Sequence, residues 1–232
     1  METKTVNDKK PTWSFSSIKM FDQCPKKYYH LKVAKDYTED FNNQVILYGN
    51  EFHKAAEDYV SKAKAELDPR FIYAKAALDK LAEMPGDKLC EYKMGLTERL
   101  EPCDFYAKDV WYRGIADLLI IDKAAGVAKV IDYKTGKSAR YADKGQLELM
   151  ALCVFRHFPE IKVVKAGLLF VVCNAFVKEV YTVEKQSALW QKWMMTYGGL
   201  ERAFSNDVWN AKPTGLCRAH CVVLECPHNG KR

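Results

Sequence analysis

The sequence predicts an α/β protein with a central mixed β-sheet flanked by helices. Two runs, Tyr112 to Ile121 and Val127 to Thr135, are dense in apolar and β-favouring residues. Ala125-Gly126 supplies a turn between them, so they read as antiparallel neighbours. Apolar residues at three-to-four spacing on either side predict the covering helices. At 232 residues and 48% hydrophobic content, the chain can bury a substantial core as one domain over 1–232. Within it, the pattern separates a helical portion at 14–85, a sheet core at 86–183, and a C-terminal helix with a cysteine-rich tail at 184–232.

Taken in order, residues 1–12 are polar and read as loose. From Ser16, Ile18, Phe21, Cys24, Tyr28 and Leu31 recur at helical spacing behind a serine cap, with Cys24 on the inner face. Pro25 should kink or divide that helix. Lys26, Lys27, Lys32 and Lys35 form a basic face suited either to solvent or to a phosphate backbone. A second helix over about 43–67 carries a stripe of Val45, Tyr48, Phe52, Ala56, Tyr59 and Ala63, with His53 and Glu57 sharing a face. Asp68-Pro69 interrupts it, and Phe71, Ala74, Leu78 and Leu81 predict a shorter helix ending at Pro85-Gly86. Strands over 89–96 and 103–108 form the first arm of the sheet. Beyond the central pair, 141–158 reads as a helix with Leu147, Met150, Ala151, Val154 and Phe158 inward. Strands over 163–173 and 176–183 turn at Asn174-Ala175, and a helix over 186–204 is rich in Trp and Met.

The charged residues of the central pair carry the chemistry. Asp132 and Lys134 are two apart in a strand and leave the sheet on one face, and antiparallel pairing brings Asp117 beside Asp132. Two carboxylates and an ammonium among apolar strands are costly unless they pair or hold a cation. An isolated DxK is most simply an ion pair on an edge strand. Here it keeps company with GIAD before it and Gln146 on the next helix, in an order that one folded unit accommodates.

Gly114-Ile115-Ala116-Asp117, Asp132-Tyr133-Lys134 and Gln146 together resemble the core of the PD-(D/E)XK nucleases, in their RecB-like branch, whose fold is restriction-endonuclease-like. His53, in GNEFHKAAE, resembles the helix histidine of that branch, and SFSSIKMFDQCPKKYYHLKV its N-terminal helix. The resemblance spans Ser14 to Gln146 and, with the terminal cysteines, nearly reaches Arg232. It implies a metal-dependent DNA nuclease, an exonuclease on single strands or duplex ends. His53, Asp117 and Asp132, with the carbonyl of Tyr133, would hold Mg²⁺ or Mn²⁺, the histidine favouring Mn²⁺. Lys134 would orient the attacking water and make it more acidic. Gln146 would position that lysine, the water or the DNA. Glu91 falls where relatives often carry an acid, and Glu57 could reach metal through water or pair with a lysine. Met150 replaces the aromatic residue often found four positions after the glutamine. The alternatives are a nucleic-acid-binding module without cleavage and a structure-specific endonuclease; intact Asp117, Asp132 and Lys134 argue against the former.

Of eight cysteines, Cys90, Cys103, Cys153 and Cys173 lie in apolar or strand-like surroundings and read as inert thiols. Cys217, Cys221 and Cys226 fall within the irregular stretch GLCRAHCVVLECPHNGK. With Cys24 they resemble the one-plus-three arrangement of iron–sulfur members of the same branch, the AddB-type helicase-nucleases and the CRISPR adaptation nuclease. That implies a [4Fe-4S] cluster clasping the chain ends. Zinc is the rival, held by four thiolates or by three with His220 or His228. The net charge of +6 favours a polyanionic partner only mildly, but five Lys or Arg stand against two Asp between Lys129 and Lys144. No apolar run suits a bilayer and METKTVNDKK lacks a secretory core, so the chain is expected inside a cell, with a phage or bacterial source.

Overall fold

The computed structural model describes residues 11–39 and 43–231; the expectation for residues 1–10 lies outside them. In chain order its elements are α1 (Phe15–Gln23), α2 (Pro25–Tyr28), α3 (Gln44–Val60), α4 (Lys75–Glu83), β1 (Asp87–Leu96), β2 (Pro102–Cys103), β3 (Tyr112–Asp122), β4 (Val127–Lys134), α5 (Gly145–His157), β5 (Val163–Phe170), β6 (Ala175–Thr182) and α6 (Gln186–Asn206). The chain divides between Phe41 and Asn42, and again between Leu189 and Trp190, into two units.

The unit over Asn42–Leu189 holds the mixed sheet, in the order β2-β1-β3-β4-β5-β6. β3 is antiparallel to β1 and β4, β4 runs parallel to β5, and β6 returns antiparallel. A parallel pair needs a crossover, and α5 is that crossover. Alternation along β4 decides what each face carries. Ile131 and Tyr133 join Phe52, Ala56 and Val60 of α3, with Phe71, Leu78 and Leu81, in one apolar cluster. The Phe52 ring meets Phe71 at 5.3 Å and Tyr133 at 5.8 Å, both edge-on. Asp132 and Lys134 therefore leave by the opposite face, towards α5.

β1 breaks this alternation at one residue. Cys90 packs against the α3–α4 cluster, whereas Tyr92 meets the ring of Phe158, just past α5, at 5.9 Å. Regular pleating would put both on one face. Glu91 between them has a φ of 48°, in the left-handed region, and this reverses the order of the faces. Cys90↔Leu118 and Tyr92↔Ala116 flank it, so Glu91 stands opposite Asp117.

Several boundaries differ from the sequence expectation. α3 stops at Val60 rather than near 67, because Lys62 turns to a φ of 61°. Val45 is 73% exposed and Ala63 also lies off the buried stripe. The strand expected over 103–108 is only Pro102–Cys103, since the Asp104 side chain accepts the Tyr106 N–H at 2.7 Å and turns the chain. α5 begins at Gly145, not Tyr141. Ser138 and Asp143 accept the N–H groups of Arg140 and Gly145, competing with helix.

In the other unit, Ser14 and Ser17 form a capping box that opens α1. Cys24 ends α1 and its Sγ caps α2, so the expected division at Pro25 is present. Trp13 packs on Tyr197 at 5.6 Å, and Tyr28 stacks on Trp209 at 6.0 Å. Lys27 pairs with Glu39 at 2.8 Å, which removes it from the basic face proposed for α2. Among the described residues, no helix is long and apolar enough to cross a membrane.

Phe52 is fully buried and joins α3 to β4 through Tyr133. Phe52→Ala should lower unfolding free energy by about 3 kcal/mol, read as a reduced urea midpoint with unchanged slope.

Candidate active site

Asp117 comes from β3, and its Oδ2 accepts the backbone N–H of Tyr133 at 2.7 Å. The register Leu118↔Ile131, carried on by one residue, sets Asp117 opposite Asp132. His53 reaches in from α3: Nδ1 is 3.5 Å from Asp117 Oδ2, and Nε2 is 3.1 Å from the carbonyl of Tyr133. A carbonyl only accepts, so Nε2 carries the proton in that contact. His53, Glu91 and Asp117 each offer one ligand atom, all within 4.8 Å of one another.

On the α5 side, Asp132 is 4% exposed. Gln146 Nε2 donates to Asp132 Oδ1, and Lys134 Nζ donates to Gln146 Oε1 at 3.1 Å. Lys134 Nζ also stands 2.6 Å from Asp132 Oδ2, yet at an angle that leaves this buried oxygen without a hydrogen bond. The contact is one of charge. Of the three roles open to Gln146, the bonds favour the lysine together with the second carboxylate.

Negative charge is crowded here. Burial first, and the Asp117 charge second, push the Asp132 carboxyl up to about 6, against the pull of Lys134. Glu91 is raised by burial and then by Asp117. For His53, burial works against the imidazolium, but the hydrogen bond and charge of Asp117, with Asp132 and Glu91 behind them, carry the net shift upward. All three directions would be relieved by a cation.

The residues fit a divalent ion. Imidazole nitrogen, carboxylate oxygen and a backbone carbonyl form a donor set suited to Mg²⁺ or Mn²⁺. The 3.1 Å contact between His53 Nε2 and Tyr133 O is a hydrogen bond while Nε2 is protonated, so Nε2 must lose that proton before it can hold an ion. Asp132, expected among the ligands, is not in the group of His53, Glu91 and Asp117, and its Oδ2 faces Lys134 Nζ at 2.6 Å.

A family model of the PD-(D/E)XK nuclease superfamily matches residues 12–226. The chain belongs to the PD-(D/E)XK nuclease superfamily. Members of this superfamily use divalent metals. No curated protein matches the sequence. Among solved structures, a protein of Eubacterium rectale to which an exonuclease activity is ascribed is similar with a TM-score of 0.54, over 94% of this chain and 91% of its own, at 14% identity. The protein SSO0001 covers 97% of this chain and 89% of its own, with a TM-score of 0.48 and 11% identity. At such identity the first likeness is one of fold.

Against the PD-(D/E)XK pattern, Met150 stands where an aromatic residue is often found. A Cβ on Gly114 would lie 3.1 Å from Met150 Cε and 3.2 Å from its Sδ, so the thioether closes on the backbone of the GIAD motif. Glu57 pairs with Lys54 at 2.9 Å and is not in the ligand group, whereas Glu91 is.

Cys24, Cys217, Cys221 and Cys226 line one cavity, with Lys26, Lys27 and His228 beside them. Cys24 Sγ accepts the Lys27 N–H at 3.5 Å, and Cys217 Sγ accepts that of Thr214 at 3.4 Å. Among the described residues, no three of these sulfurs gather within 4.8 Å of one another. Zinc bound tetrahedrally at about 2.3 Å would draw its sulfurs to about 3.8 Å. Sequence reading passed over Asn229, which is buried and knits this loop. Its Nδ2 donates to the carbonyls of Cys221 (3.1 Å) and Val223 (2.8 Å), and its N–H to that of Cys226 (2.9 Å). Gly230 follows with an N–H to Cys217 O at 3.2 Å. Asn-Gly was visible in sequence only as a turn signal.

In calorimetric titration with Mn²⁺, Asp117→Asn and His53→Ala should each weaken binding by about tenfold or more, and Glu91→Gln by less.

Proposed function

We propose that the chain is a divalent-metal-dependent DNA nuclease, an exonuclease acting on single strands or duplex ends. The observation that carries this reading is the bridge Asp132–Gln146–Lys134 set against the group His53–Glu91–Asp117. His53, Asp117, Asp132 and the Tyr133 carbonyl would hold the ion, with Glu91 at its margin. When bound, the ion supplies the charge that makes water more acidic and offsets charge on the non-bridging phosphate oxygens.

The protein's own groups do the positioning. Gln146 commits both ends of its amide, one to the carboxylate and one to the ammonium, so Lys134 is kept from swinging to solvent. Its Nζ can then orient the attacking water and stabilise charge at the phosphate. Tyr133 N–H aims the Asp117 carboxylate. The name borne by the Eubacterium rectale protein, and the RecB-like motif order, support exonuclease action. Exposed Lys137 and Arg140, in the loop between Lys134 and Gln146, suit a phosphate backbone.

Cys24, Cys217, Cys221 and Cys226 are assigned here to a [4Fe-4S] cluster. Their shared cavity, the N–H groups directed at two of the sulfurs, and the one-plus-three order of the cysteines support that assignment. Protein purified without oxygen should carry about four iron per chain and absorb in the visible. Colourless protein with stoichiometric zinc would reject the cluster.

Asp132→Ala and Lys134→Ala should each reduce cleavage by about a thousandfold or more while DNA binding persists; undiminished cleavage by either variant would overturn the site. End-labelled single strands, linear duplex and closed circles, incubated with Mg²⁺ or Mn²⁺, test the mode. Loss of linear DNA with intact circles supports exonuclease action. Nicked circles mean an endonuclease, and retention without loss means a binding module.

A further inference from the structure

A cluster outside the ligand group joins two cations to two aromatic rings. Asp104 Oδ1 pins the Tyr106 N–H, so the turn after β2 presents Phe105 and Tyr106 side by side, with ring centroids 5.0 Å apart. Lys93 Nζ donates to Tyr106 Oη at 2.8 Å and lies 5.1 Å from the Tyr106 ring and 5.8 Å from that of Phe105. The Arg113 guanidinium lies 5.3 Å from the Phe105 centroid. Tyr106 is nevertheless 66% exposed, which is a large apolar area for a residue held so firmly. Lys93 is two residues along β1 from Glu91, and Arg113 is four before Asp117 on β3. At about 3.3 Å per strand residue, the cluster lies within the reach of a few nucleotides from the proposed ligand group.

We infer that Lys93, Phe105, Tyr106 and Arg113 form a platform for single-stranded DNA, on which one unpaired base stacks against Tyr106 while Lys93 and Arg113 meet the adjoining phosphates. The inference rests on the nuclease reading and names the form of its substrate. Three features support this occupant. Stacking on an aromatic face accepts any base, but only one that is unpaired. The Tyr106 hydroxyl takes one of the three ammonium protons of Lys93, leaving two for phosphate oxygens. The rings are fixed before the strand arrives, which lowers the ordering cost of binding.

The test reads binding without cleavage, by fluorescence anisotropy of a labelled single-stranded oligonucleotide in the presence of EDTA. Tyr106→Ala should weaken binding by about tenfold, while Tyr106→Trp should retain it. Lys93→Gln should weaken binding and flatten its dependence on salt by about one counterion. A single abasic nucleotide moved along the oligonucleotide should lower wild-type affinity at one position and make no difference to Tyr106→Ala. Unchanged single-strand affinity in Tyr106→Ala, or an equal loss on blunt duplex, overturns the platform. The same wild-type protein is assayed in parallel for cleavage with Mn²⁺. Cleavage without a binding loss in Tyr106→Ala sinks the platform alone; the binding loss without any cleavage sinks the nuclease reading alone.

Discussion

A single hydrogen bond, from the backbone N–H of Tyr133 to the carboxylate of Asp117, fixes the geometry on which the candidate site depends. It lies just beyond the last β3–β4 backbone pair, Leu118↔Ile131, and it ties a side chain of one strand to the main chain of the next. Because Tyr133 buries its ring among Phe52 and the α3–α4 cluster, its two neighbours must turn the other way. Asp132 and Lys134 are thus delivered to α5 by packing on the far face of the sheet. An apolar core supplies the aim, and polar groups take the position it leaves them.

Much of this was legible in the sequence, and for identifiable reasons. Strand alternation alone placed Asp132 and Lys134 together, and the turn at Ala125-Gly126 placed Asp117 opposite them. Pro25 divided the first helix because a ring without an N–H cannot continue it. What escaped was governed by single backbone angles or by local side-chain bonds. The φ of Glu91 leaves no mark in a hydrophobicity pattern, so the residue could be named only from the resemblance, and its place opposite Asp117 was not legible. The turn at Asp104 was hidden behind the β-favouring pair Phe105 and Tyr106. Asn229 showed only as half of an Asn-Gly turn signal, because its importance lies in three carbonyls that it meets only after folding.

The ligand group stores two kinds of unfavourable free energy close together. Glu91 holds a left-handed backbone, which costs an ordinary residue of order 1 kcal/mol or more. Asp132 and Glu91 hold carboxylates whose charge is opposed by burial and by Asp117. Lys134 and Gln146 relieve the cost at Asp132 only in part, since its carboxyl is still pushed up to about 6. Residues that lower the energy of the folded chain would be different ones at these positions. The arrangement is intelligible as one shaped for what it receives rather than for stability alone.

The unit that carries the cysteines is assembled from segments lying on either side of Asn42–Leu189 in the chain. Synthesis runs from the N-terminus, so every residue of the sheet unit leaves the ribosome before Cys217 does. The sheet can form while translation continues, but the cavity around Cys24 cannot. Until Cys217, Cys221 and Cys226 emerge, Cys24 waits without the residues that line its cavity, so a segment made late completes a pocket begun by one made early.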